Sequence, residues 1–92
     1  MWTVLETREA TKALDKAPAD VVRKFQAWTA IVQQSGAQGL RAVRGFHDEA
    51  LAGAWAGFRS SRLSLQWRVI YRVEASEVTV HVVRVTPHDY RR

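Results

Sequence analysis

The 92-residue sequence predicts an α+β domain, a helical hairpin packed on one face of a small, largely antiparallel sheet in the order β-α-α-β-β-β. Three observations predict it. Apolar residues recur at helical spacing from Ala10 to Ala17 and again from Val21 to Val32, with Pro18 between the two stretches. Beyond residue 56 come three short runs rich in β-branched and aromatic residues, joined by brief polar links of the kind that connect antiparallel neighbours. A chain of this length has room for one core, so residues 1–92 are read as a single domain.

Trp2–Glu6 reads as the first strand, with Val4 and Leu5 apolar beside the β-formers Trp2 and Thr3. Thr7 is the expected N-cap of helix one, with Glu9 in its first turn and Ala10, Ala13, Leu14 and Ala17 forming the apolar stripe. Pro18 suits the first turn of helix two, which carries Asp20 near its positive end and Val21, Val22, Phe25, Trp28, Ile31 and Val32 as far as Gly36. Between Gly36 and Ala56 the pattern breaks: glycines 36, 39, 45 and 53 are scattered among Arg41, Arg44, His47, Asp48 and Glu49. This connection is expected to lack firm structure of its own. Strands follow at 57–64, 67–73 and 78–85. In the middle one, alternation sets Trp67, Val69, Tyr71 and Val73 beneath the helices and Arg68, Ile70 and Arg72 on the other face. The last is apolar on both faces, Val78, Val80 and Val82 against Val83 and Val85, and so reads as an interior strand.

Composition narrows the function. No apolar run approaches the roughly 20 residues of a membrane span, and the opening Met-Trp-Thr-Val-Leu-Glu lacks the layout of a signal peptide, so a cytoplasmic protein without a membrane partner is expected. Without cysteine there is no disulfide, thiolate nucleophile or cysteine-ligated zinc, and three histidines without tight spacing do not make a metal site. No cofactor is expected. The net charge of +5 is uneven: residues 1–40 hold five basic against four acidic side chains, whereas 41–92 hold nine arginines against five carboxylates. Arginine makes forked contacts to phosphate, so the second half reads as a polyanion-binding surface.

Arg59, Arg62, Arg68 and Arg72 fall on two strands expected to lie about 5 Å apart. Arg68 and Arg72 share a face but are separated by ~13 Å along the strand, so they would grip different phosphates. Alternation puts Arg62 in phase with Phe58, and a bulge or twist of the hairpin would be needed to bring it round to Arg68. Pro87 ends the last strand and holds His88 near these arginines, where His88 and Tyr90 would supply a proton-transfer group and a base platform. His47 lies in the glycine-rich connection, where a catalytic group could be placed, while His81 reads as structural. Trp28 and Trp67 fit the core, and Trp55, flanked by Gly53 and Gly57, reads as an exposed stacking residue.

Over nearly its whole length the chain resembles the RelE/ParE superfamily of toxins from bacterial toxin–antitoxin pairs. The stretch from Gly57 to Tyr71, an arginine–hydrophobic pair, a short turn and then Gln66-Trp67-Arg68-Val69-Ile70-Tyr71, is similar to that family's most recognisable segment. Leu51, Gly53, Trp55, Gly57 and Arg59, with His47 ahead of them, are similar in spacing to the YafQ and HigB branches, and His88 and Tyr90 resemble the C-termini of the YoeB and HigB branches. The resemblance implies a RelE-like fold and a ribosome-dependent mRNA endonuclease held in check by a cognate antitoxin. Arg62 and Arg68 would hold the scissile phosphate and His88 would act as general acid or base, with His47 and Tyr90 assisting. Arg41, Arg44, Arg59, Arg72, Arg91 and Arg92 would hold the surrounding RNA. The chemistry needs no metal, because the substrate's 2′-hydroxyl attacks the adjacent phosphorus and leaves a 2′,3′-cyclic phosphate and a 5′-hydroxyl. The YoeB branch carries a glutamate ahead of its first arginine; Asp48 and Glu49 are the acids in that vicinity here, and His47 is the expected substitute. Two alternatives stand beside this reading: a ParE-like toxin that inhibits DNA gyrase, and a non-catalytic RNA-binding module.

Overall fold

Thr7 separates the first strand, β1 (Thr3–Glu6), from the first helix, α1 (Arg8–Lys16). Its backbone is extended and its hydroxyl accepts the Ala10 N–H at 3.1 Å, which satisfies one of the donors left open at a helix start. The second helix, α2 (Ala19–Ser35), starts one residue after Pro18. Pro18 therefore sits at the N-cap rather than inside the first turn, and its carbonyl accepts the N–H groups of Val21 and Val22. At the other end Gly36 takes φ 70° and closes α2 with an N–H to Val32 O bond of 2.7 Å. A Cβ on Gly36 would fall 2.8 Å from the Trp2 indole, so this residue must be glycine both for its backbone and for the ring that packs on it.

The computed structural model describes residues 1–88. Its sheet has five strands, where the sequence suggests four: β1, β2 (Glu49–Ala50), β3 (Arg59–Arg62), β4 (Arg68–Glu74) and β5 (Thr79–Thr86), in the spatial order β1-β5-β4-β3-β2. β1 runs parallel to β5 and the other pairs are antiparallel. The α+β class, the helical hairpin and the interior position of the last strand are as expected. Phe25 of α2 stacks on Trp28, with ring centroids 5.5 Å apart, and Trp28 meets Tyr71 of β4 edge-on at 5.3 Å. Val21, Val32, Val69, Val80 and Val82 fill the space around them. Among the described residues no helix is long and apolar enough to cross a membrane.

Two expectations need correction. The connection from Gly36 to Ala56 is not structureless: it contains the single turn α3 (Gln38–Arg41), two 3₁₀ turns and β2. Leu40, Phe46 and Leu51 anchor it in the interior, but they are spaced too irregularly to show a helical or strand period. The last strand does not carry two apolar faces. Ile70 pairs with Arg84 and Tyr71 with Val82, so Val83 is the extra residue of a β-bulge. The bulge resets the alternation, and Val80, Val82 and Val85 all reach the helix side. The freed Val83 carbonyl accepts the Thr7 hydroxyl at 2.9 Å, which ties the start of α1 to the sheet.

Gly36→Ala is expected to destabilise the protein by about 1–3 kcal/mol, through the positive φ and the clash with Trp2. Gly45→Ala, where an added Cβ meets nothing within 4 Å, should leave stability nearly unchanged. Urea unfolding of the two variants checks the contrast.

Candidate functional site

Helix-side positions of β3 and β4 hold a polar cluster inside the core. Asp48, whose side chain is fully buried, accepts hydrogen bonds from Arg59 Nε at 2.8 Å, from Ser61 Oγ at 2.7 Å and from the Tyr71 hydroxyl. Arg59 Nη2 adds a 2.7 Å ion pair, and Ser61 in turn accepts the Trp28 indole N–H at 3.0 Å. A buried carboxylate is tolerated only when its oxygens are satisfied in this way. Burial, then the hydrogen bond and charge of Asp48, push the Tyr71 phenol well above its ordinary pKa. Burial alone would lower the Arg59 guanidinium, but Asp48 and Tyr71 outweigh it and raise the pKa overall.

Asp48 aims its neighbours at the opposite face. His47 closes a 3₁₀ turn in the left-handed conformation, φ 44°, and Glu49 enters β2 opposite Ser60. Ser60 pairs with Ile70, and Arg62 pairs directly with Arg68. Cross-strand partners point to the same side of a sheet, so Glu49, Ser60, Arg62 and Arg68 share the face away from the helices. They and His47 line one shallow pocket. Arg62 is thus in phase with Arg68 without a bulge in β3, because the tight turn closed by Leu63 N–H to Trp67 O at 2.8 Å sets the register. Arg68 is buried and donates to Gln66 O at 3.0 Å. Arg62 Nε is buried and has no hydrogen-bond partner among the described residues. An anion with several acceptor oxygens could take forked contacts from guanidinium groups at such paired positions and would satisfy the open Arg62 donor.

No family model matches the sequence and no curated protein does. Solved structures do. A YoeB/ParE toxin from Agrobacterium tumefaciens superposes with a TM-score of 0.76 at 20% identity, over 95% of this chain and 99% of that one. The archaeal RelE of the RelE–RelB complex from Pyrococcus horikoshii gives 0.73 at 22%, over 94% and 93%. A chain of the RelBE2 toxin–antitoxin complex from Mycobacterium tuberculosis gives 0.59 at 26%, over 91% and 94%. The chain has the RelE-like fold.

The RelE-like sheet brings together some of the expected site residues and separates others. Arg62, Arg68 and His47 meet in the pocket. His88 is exposed just beyond β5, two residues past Thr86, which pairs with Arg68, so it stands at the same end of the sheet. Arg72 lies on the pocket's face but farther along β4, opposite His81 and ion-paired with Glu74. Arg59 faces the helices, engaged by Asp48, and Arg41 joins it in lining a different cleft beside Trp2 and Gly36. Arg44 is exposed in the 3₁₀ turn ahead of His47. Tyr90, Arg91 and Arg92 lie outside the described residues. Sequence reasoning named Glu49 together with Asp48 as the nearby acids without choosing between them, and it missed Ser60. The signal available for Glu49 was its two-residue offset from His47, which becomes a shared face once β2 is recognised as a strand.

Asp48→Ala should cost about 3–5 kcal/mol in a urea melt, since it leaves Arg59, Ser61 and Tyr71 without their acceptor. Tyr71 also sets an alkaline limit. Its folded pKa is raised above the ordinary value of 10, so its contribution is intact below about pH 10 and is lost as pH rises through the folded value. Tyr71→Phe should therefore be less stable at neutral pH and lose less stability above pH 10 than the parent, as read from melts across pH 8–12.

Proposed function

We propose that this chain is the toxin of a toxin–antitoxin pair and that it cuts messenger RNA on the ribosome. The observation that carries the reading is the facing positions of Arg62 and Arg68, with the buried Arg62 Nε unpartnered among the described residues, bordered by Glu49, Ser60 and His47. Such a pocket suits a phosphodiester, and the folds it resembles belong to toxins, two of them solved in complexes with antitoxins or as toxin–antitoxin pairs. The expected partners are a cognate antitoxin, the ribosome and mRNA.

RNA carries its own nucleophile, so the protein needs to supply orientation, positive charge and proton transfer. Glu49 takes the proton from the 2′-hydroxyl as that oxygen attacks the adjacent phosphorus. Arg62 and Arg68 stabilise the crowded phosphorane, with their forked donors on its equatorial oxygens. A histidine, His88 or His47, gives a proton to the departing 5′-oxygen. The products are a 2′,3′-cyclic phosphate and a 5′-hydroxyl, and no step uses a metal. Asp48 does not compete with Glu49 as base, because its oxygens are committed to Arg59, Ser61 and Tyr71. Tyr90, Arg91 and Arg92, assigned on the sequence alone, would extend the contact to RNA, as would Arg72.

Primer extension on mRNA from cells expressing the protein tests the reading. New 5′ ends should accompany growth arrest, Arg68→Ala should abolish them, and Glu49→Gln should slow cleavage by about 100-fold or more. Growth arrest without new 5′ ends would sink the nuclease and favour the gyrase inhibitor. RNA binding without product would favour the non-catalytic module.

A further inference from the structure

A second group of side chains lies on the face that holds Arg62 and Arg68. One step along the sheet, Ser60, Ile70 and Arg84 form the next cross-strand row, about 7 Å from the arginine row at the usual strand rise. Ile70 and Leu51 are buried yet stand outside the helix-side core, so this row has an apolar floor of its own. Above it the 3₁₀ turn Gly53–Trp55 presents a half-buried Trp55, which meets the half-buried Phe58 edge-on with centroids 5.1 Å apart. The Arg84 guanidinium lies 5.6 Å from the centre of the Trp55 ring and contacts Glu9 at 3.4 Å.

The arrangement combines what single-stranded nucleic acid requires: a phosphate-binding cation pair, then an aromatic surface with an arginine beside it at the reach of a neighbouring nucleotide. The Arg84–Glu9 contact is long and solvent-exposed, so it does not hold the guanidinium on the ring, and Arg84 can give its place to a base and move to the next phosphate.

We propose that Trp55 is a stacking platform for the unpaired nucleobase adjacent to the scissile phosphate, with Phe58 fixing the indole edge-on and Arg84 moving to the flanking phosphate. Trp55 is a positioning residue: it holds the strand so that the phosphate between Arg62 and Arg68 lies in line with its own 2′-hydroxyl. The inference rests on the nuclease reading above. Because every base has a π-face, the platform contributes affinity and register with little dependence on base identity.

Cleavage of ribosome-bound mRNA, measured with intact substrate and with substrates abasic at each nucleotide beside the cut, tests the platform. Trp55→Ala should lower kcat/KM by about tenfold, Trp55→Phe should keep most of it, and one abasic position should cost the parent a similar factor while costing Trp55→Ala nothing further. Trp55→Ala cutting at the parental rate, or suffering the full abasic loss, would overturn the platform and leave the nuclease standing. No cleavage by the parent protein would overturn both. If Trp55→Ala does not fold, the abasic substrates decide with the parent alone, and indifference to every one of them overturns the platform.

Discussion

The buried Asp48 carboxylate is the constraint on which the rest of the structure depends. A charge inside a core is costly unless each oxygen is satisfied, and here the donors come from two strands: Arg59 and Ser61 of β3 and Tyr71 of β4. Ser61 passes the connection on to Trp28 of α2. One side chain therefore fastens an irregular connection to the sheet and, through Ser61, to the main helix. The same side chain decides how that connection enters β2.

Strand geometry turns this internal anchor into a candidate site on the outside. With Asp48 committed to the helix side, Glu49 points the other way, and Ser60 and Arg62 do so on either side of Ser61. The core and the pocket are two sides of the same few residues of chain. Their chemistry differs accordingly. On the inner side the buried Asp48 forms an ion pair with Arg59; on the outer side Arg62 and Arg68 occupy directly paired positions with Glu49 lining the same pocket. Two arginines at directly paired positions, with the buried Arg62 Nε open among the described residues, are the physical basis of the proposed phosphate site.

Part of the candidate site could be proposed before the structure. The arginines at 62 and 68, and His47 and His88, could be singled out because residue type and the family-like segment marked them. Their geometry could not be read in the same way. Alternation counted from Phe58 gives the parity of Arg62 on its own strand, but not which residue of the next strand lies opposite; the turn from Leu63 to Trp67 sets that. Glu49 could not be separated from Asp48 because β2 has two residues, too few for a period, and Asp48 was as good a candidate until its partners were known. Arg59 looked like its neighbours in sequence and lies on the other face.

By itself the sequence determined the α+β class, the two helices, the Thr7 cap and the arginine-rich second half. Each of these follows from local chemistry: hydrophobic period, a Thr7 hydroxyl, residue counts. Tertiary structure decided the partnerships: β2 on the edge, the bulge at Val83, the burial of Asp48 and the facing pair Arg62 and Arg68. The physical reason is that register and charge pairing join residues far apart in the chain. Their energies depend on which groups meet, and a one-dimensional pattern records only what each group is.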